Sequence, residues 1–162
     1  EMTDSLIYQL MDKGLVTDGL TLDIGYDREN CDKGGYRGPV QVDRSGRTLP
    51  KPAHRSARLD APTNLGSQLQ AAAAELFERI ADPRLTVRRL TLTANRVVKD
   101  PGIFQTDFFT DTARLETEKS LQEAMLGLQK RFGKNAVLKG SNYLEGATMR
   151  DRNGRIGGHK AE

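Results

Sequence analysis

The sequence has no tryptophan, a single cysteine and only two histidines among its 162 residues. One cysteine, Cys31, excludes an internal disulfide and a cysteine-built zinc cluster, and a reducing cytoplasm suits such a chain. No apolar run approaches the roughly 20 residues that a membrane span needs. No basic-then-apolar leader opens the sequence, which reads as that of a soluble protein. Hydrophobic residues make up only 36% of the chain and glycine reaches 16, so one core running the full length would be thin. A compact part followed by a poorer part is the expectation.

Catalytic equipment is sparse as well. Metal-dependent phosphoryl transfer needs convergent carboxylates on rigid elements, and here the carboxylates are scattered over polar faces and loops. His54 and His159 lie far apart in sequence without an evident partner, and Ser56 and Cys31 lack a recognisable base or elbow motif. The stretch Gly154-Arg-Ile-Gly-Gly-His-Lys160 has the glycines of a phosphate loop, but no strand precedes it and no Ser or Thr follows Lys160.

What is present is cationic charge in two places. The formal net charge is only +3. Yet Arg44, Arg47, Lys51, Arg55 and Arg58 stand together without an acid, and so do Arg84, Arg88, Arg89, Arg96 and Lys99. Such segments set a local positive field on a nearly neutral protein. The second is the organising stretch of the chain. Over residues 85–97, Leu90, Leu92 and Ala94 alternate with Arg89, Thr91, Thr93 and Asn95, which is a strand with one dry face. The dry face must meet a helix over residues 64–81, where Leu65, Leu69, Ala73, Leu76 and Ile80 fall at helical spacing and Asp82-Pro83 closes the turn.

The wet face carries guanidinium, hydroxyl and amide groups in register, a good shape for phosphates, which take several donors at once. Arg88 and Arg89 are neighbours and point to opposite faces unless a bulge intervenes, so Arg89 is the stronger candidate. Arg55, Ser56 and Arg58 of the neighbouring extended segment join Thr91, Thr93 and Asn95 as candidate contacts, and backbone contact without base readout is the natural mode. The face lacks stacked aromatics, which argues against single-stranded RNA. The plain alternative is solvated edge charge that discourages strand pairing.

Taken in order, residues 3–13 form a helix with Leu6, Ile7, Leu10 and Met11 on one face and Gly14 at its stop. The chain opens almost inside this helix, so an earlier segment is expected in a parent protein. Leu20, Leu22, Ile24 and Tyr26 alternate in a half-buried strand whose wet side is Thr21, Asp23 and Gly25. A polar loop over residues 27–38 leads to a small hairpin, residues 40–42 and 47–49 about the Asp43-Arg-Ser-Gly46 turn, which Pro50 and Pro52 end. An extended segment runs from His54 to Leu59. Asp60 to Thr63 leads into the second helix, with Thr63 or Asn64 as cap. The order helix, strand, strand, helix, strand becomes βαββαβ if one strand precedes Glu1: an α+β, ferredoxin-like sandwich with both helices on one face of an antiparallel sheet.

This compact part would occupy residues 1–98, with the hairpin as an insertion over about 27–52. A linker over 99–112 holds the apolar Phe108 and Phe109, and a tail over 113–162 is helical and then basic and glycine-rich. In the tail helix Leu121, Met125, Leu128 and Phe132 make one stripe that needs a partner. Ala136-Val-Leu138 is its only other strand candidate, and the end is expected to be flexible.

These residues resemble a known family. Residues 15–26, Leu59-Asp-Ala-Pro-Thr63 and residues 82–95 are similar to the little-finger domain of Y-family DNA polymerases, in the UmuC, or ImpB/MucB/SamB, branch of bacterial translesion enzymes. Gln105-Thr-Asp-Phe-Phe109 resembles the sliding-clamp-binding peptide of bacterial polymerases, departing from its usual leucines at Thr106 and Phe108. The resemblance implies a sheet laid across duplex primer-template DNA, with Arg88, Arg89, Thr91 and Thr93 on the contacting strand. It implies clamp docking through Gln105, Asp107, Phe108 and Phe109, and other damage-response proteins as partners of the tail. The magnesium-binding carboxylates that add nucleotides would lie elsewhere in the parent polymerase, so this segment would bind and position without polymerising and hold no cofactor of its own. A free-standing ferredoxin-like nucleic-acid adaptor is the alternative among binding modules. Among enzymes the alternative is a small hydrolase using Asp23 or Asp60 with His54.

Overall fold

A computed structural model describes residues 1–32, 36–102, 111–156 and 159–160. Helix α1 (Met2–Asp12) leads directly into a long strand, β1 (Leu15–Tyr26). A short helix α2 (Glu29–Asp32) and the hairpin β2 (Val40–Val42) and β3 (Thr48–Pro50) follow. Gly46 turns the hairpin at φ +74°, the left-handed position its place in the turn predicts. Strand β4 (Ala53–Thr63) returns to the sheet, helix α3 (Gly66–Ile80) crosses behind it, and β5 (Val87–Asn95) runs back. A two-residue strand, β6 (Val98–Lys99), pairs with the start of β1.

The sheet order is β4-β1-β5 and every pairing is antiparallel. Central β1 is buried along most of its length because it is flanked on both sides, so its nominally wet Thr21 is as enclosed as a core residue. Leu20, Leu22, Ile24 and Tyr26 face Ile7 and Leu10 of α1 and Leu69 and Leu76 of α3, with Leu90, Leu92 and Ala94 packed against the cluster from β5. Two helices over one face of an antiparallel sheet is the α+β arrangement that the alternation predicts.

Three local expectations are corrected. Strand β1 begins at Leu15, five residues ahead of its alternation, because β6 supplies a partner there. Residues 60–63 do not lead into a helix but continue β4. Pro62 is tolerated because β4 is an edge strand among the described residues, where a missing N–H costs no ladder bond. The end of the chain is not featureless either: Arg155–Ile156 (β7) pairs antiparallel with His159–Lys160 (β8).

The tail makes the largest correction. Helix α4 (Thr112–Phe132) docks on α1 and on the first turn of α3, and of its apolar stripe only half-buried Met125 takes part, its sulfur accepting from the Tyr8 hydroxyl at 3.7 Å. Leu121, Leu128 and Phe132 are exposed, and the buried residue is Gln122. Gln122 Oε1 accepts the Gly66 amide at 2.7 Å, while its Nε2 donates to the Asn64 carbonyl at 3.2 Å. Glu118 accepts both the Ser67 amide at 2.6 Å and the Ser67 hydroxyl at 2.7 Å. A helix N-terminus presents unsatisfied donors and positive potential, so its partner surface needs acceptors rather than methyl groups. A Cβ on residue 66 would fall 2.9 Å from the Gln122 oxygen, so glycine is what lets the amide come that close. Thr63 Oγ1 does accept a nearby amide, that of Leu65, ahead of the helix.

Beyond α4 the chain folds back on α1. Lys139 Nζ reaches Asp4 Oδ1 at 2.6 Å. The Glu1 carboxylate takes the amides of Thr148 and Met149, the Thr148 hydroxyl and the Asn142 side chain. Partial burial pushes the Glu1 carboxyl up, but these donors together outweigh it and hold the group at about 2. Ala136-Val-Leu138 is not a strand; the segment leads into a turn of 3₁₀ helix at Gly140–Tyr143 and then a short helix, α5 (Met149–Asn153).

Candidate nucleic-acid interface

The face of the sheet away from the helices is built in four rungs. Antiparallel partners directly opposite one another share a face, so the register decides membership. Gly25 stands opposite Arg89; Asp23 lies between His54 and Thr91; Thr21 lies between Ser56 and Thr93; Gly19 lies between Arg58 and Asn95. Arg89, Thr91, Thr93, Ser56 and Arg58 are exposed and Asn95 is half-buried. This places Ser56, Arg58, Arg89, Thr91, Thr93 and Asn95 on one surface, as the alternation predicts.

Arg55 is a correction. It stands opposite Leu22, a core residue, so its side chain leaves the sheet on the helix side and does not join this surface. Its parity with Ala57 and Leu59 carried that information in the sequence. Arg88 falls where the β1–β5 register slips, Gly25 facing Arg89 while Tyr26 faces Val87. The extra residue is a bulge, a device that re-aims side chains. It frees exposed Arg88 from the strict alternation that would set it against Arg89.

The middle of the face is fixed by hydroxyl and amide contacts. Asn95 Nδ2 donates to Thr21 Oγ1 at 2.6 Å, and Thr21 Oγ1 shares a 2.7 Å hydrogen bond with Ser56 Oγ, tying all three strands together. At one end Arg96, at a left-handed φ of 46°, donates to Asp18 Oδ1 at 2.6 Å and to the Asp18 carbonyl at 3.0 Å, with Arg58 3.9 Å from the same carboxylate. Asp23 is in contact with His54 Nδ1. Charge is therefore graded along the face: carboxylates are matched by Arg96, Arg58 and His54, and the Arg88–Arg89 end carries two guanidiniums with no described carboxylate in an ion pair with either. Positive charge on the face is concentrated at that end.

Of the two carboxylates that the hydrolase alternative paired with His54, the β1–β4 register sets Asp23 opposite it. The pair does not extend to a nucleophile, since the Ser56 hydroxyl is engaged with Thr21. Among the described residues no group of three His, Cys, Asp or Glu side chains is gathered closely enough to hold a metal ion. No helix among them is long and apolar enough to cross a membrane. Gln105, Asp107, Phe108 and Phe109 lie outside the described residues.

Comparison with known proteins agrees with this architecture. The impB/mucB/samB family C-terminal domain matches residues 1–108. A Bacillus subtilis protein named for UV-damage repair, UvrX, is 28% identical over 108 residues, which cover 67% of this chain and 25% of that protein. A protein named DNA polymerase IV 2 from Halalkalibacterium halodurans is 29% identical over 122 residues, 74% of this chain and 29% of its own length. A second DNA polymerase IV 2, from Bacillus subtilis, is 30% identical over 106 residues, 65% of this chain and 24% of its own. The chain thus spans between 24% and 29% of the length of these relatives. With two helices behind an antiparallel sheet and a family match over residues 1–108, the chain belongs to the impB/mucB/samB family and carries its C-terminal domain, the little-finger domain of Y-family DNA polymerases.

Proposed function

We propose that this chain is the DNA-gripping part of an error-prone translesion DNA polymerase that acts in tolerance of DNA damage. The observation that carries the proposal is the four-rung polar face, on which Arg89, Thr91, Thr93, Ser56 and Arg58 are exposed in register over a strand network locked by Thr21 and Asn95. Donors of several kinds at strand spacing on a rigid sheet match successive phosphates of a duplex, and its described residues include no phenylalanine, tyrosine or tryptophan to stack a base, so it grips without reading sequence. The names of the relatives, two DNA polymerases and a UV-damage repair protein, support the same reading. Nucleotide addition, with its magnesium ions, would belong to parts of the polymerase outside this sequence.

The test is the salt dependence of binding to a short primer-template duplex. Arg89→Ala should weaken binding for every sequence alike and reduce the slope of log K against log salt by about one unit, the signature of one lost phosphate contact. An unchanged slope would refute the contact. The proposal extends to the linker: Gln105-Thr-Asp-Phe-Phe109 docks on the bacterial sliding clamp, the two rings in an apolar pocket and Gln105 orienting them. A peptide of residues 103–110 should bind the clamp, and replacing Phe108 and Phe109 by alanine should abolish binding. Equal affinity of the two peptides would refute it.

A further inference from the structure

The tail has a second cationic surface, and its composition differs from that of the sheet. Over residues 130–155 there are seven basic residues and two acids. Lys139 is spent on Asp4 and Lys130 on Asp12. Arg131, Lys134, Arg150, Arg152 and Arg155 are exposed, and none makes an ion pair with a described carboxylate. The two large aromatic side chains here are also exposed, Phe132 at 65% and Tyr143 at 64%. Each has a guanidinium over its ring: Arg131 Cζ lies 5.1 Å from the Phe132 centroid and Arg150 Cζ 4.9 Å from that of Tyr143.

These pieces form one lobe. Asn135, three residues beyond Phe132, donates to the Arg150 carbonyl at 3.2 Å, and Asn153 donates to the Lys134 carbonyl at 3.4 Å and to Asn135 Oδ1 at 2.8 Å. The end of α4 and all of α5 are thereby tied together. A groove of about 430 Å³ between them and α1 is edged by the Lys130–Asp12 pair and by Lys134 and Arg152, unpaired among the described residues. The lobe packs on α1 and so lies on the helix side of the sheet, away from the polar face.

We infer that this lobe is a docking surface for single-stranded nucleic acid, separate from the duplex-gripping face. Flat rings held in water by a stacked guanidinium offer their other face to an unpaired base, and unpaired cations beside them track the phosphates; stacking together with a cationic groove is how single strands are held without sequence preference. A duplex hides its base faces and would leave both rings in water. An acidic peptide would use the cations but gain little from two rings already covered on one side. The sheet shows a different design, cations without a phenylalanine or tyrosine beside them among the described residues of its polar face. The inference stands on the tail alone and does not need the sheet to bind duplex.

The experiment measures binding of the full chain to a fluorescein-labelled oligothymidylate of about 15 nucleotides, within the usual site size for such surfaces, with a duplex of equal length and polyglutamate as competitors. Phe132→Leu with Tyr143→Leu keeps charge and apolar bulk at two exposed positions. It should weaken oligothymidylate binding roughly tenfold and leave duplex affinity and thermal midpoint unchanged. Arg131→Gln with Arg150→Gln should weaken it as well and flatten its salt dependence. Unchanged oligothymidylate affinity in the leucine variant overturns the inference, as does an equal loss for duplex or displacement by polyglutamate as effective as by unlabelled oligothymidylate. Arg89→Ala separates the two surfaces. It should spare oligothymidylate, and a failure of Arg89→Ala to affect duplex would count against the sheet reading alone.

Discussion

Replacing Gln122 by alanine removes one side chain of α4 and should loosen the start of α3, 56 residues away in sequence. The amide loses its bonds to Gly66 N and Asn64 O, both on buried residues, so a donor and an acceptor are left without protein partners. Each such orphan costs about 1–3 kcal/mol. The groove beside Asn64 admits water once the side chain is gone, which keeps the total near the lower end, about 2–3 kcal/mol. For a chain of this length that is a fall in melting temperature of roughly 5–10 °C. Gln122→Glu keeps the acceptor for Gly66 but sets a second carboxylate beside Glu118 and an oxygen against the Asn64 carbonyl, so it should not rescue the loss at neutral pH. The assay is urea unfolding at neutral pH with amide exchange at Gly66 and Ser67. Stability of Gln122→Ala within about 0.5 kcal/mol of the parent, at unchanged m-value and unchanged exchange at Gly66, would refute the reasoning.

Thr21→Val should cost about 1–2 kcal/mol in urea unfolding, because it fills the same space but leaves Asn95 Nδ2 and Ser56 Oγ without their shared partner; a neutral result would mean that solvent already satisfies both. The Glu1 carboxyl, held at about 2 against an ordinary 4.5, binds its proton less readily folded than unfolded. Its stabilisation is therefore complete above pH 4.5 and lost as pH falls toward 2. The stability difference between the parent and Glu1→Gln should shrink over that window, and a difference independent of pH would contradict the four-donor arrangement.

Strand β5 was legible because Leu90, Leu92 and Ala94 alternate with polar residues and one face really is dry. The first helix and the core side of β1 were legible for the same reason. The extent of β1 and β4 was not, since Leu15 and Thr63 are in strand only because β6 and β1 lie beside them. Periodicity misread α4. Leu121, Met125, Leu128 and Phe132 make a convincing stripe, of which only Met125 packs on α1; the helix docks mainly against amide donors, and the Gln122 and Glu118 that satisfy them look like solvent residues in any hydropathy pattern. On the polar face, the alternation named the members of each strand and the parity of Arg55 with Ala57 and Leu59 already put it on the other side, but only the register could choose Asp23 over Asp60 for His54 or join Thr21 to Asn95.

The aromatic inventory has an optical consequence. With no tryptophan, the ultraviolet emission of the chain comes from four tyrosines. Tyr8, Tyr26 and Tyr36 are buried or half-buried, and Tyr143 alone stands well out in water. A neutral collisional quencher such as acrylamide will extinguish Tyr143 first, so the protein carries its own dye at the tail, and events there can be followed in real time on unlabelled material.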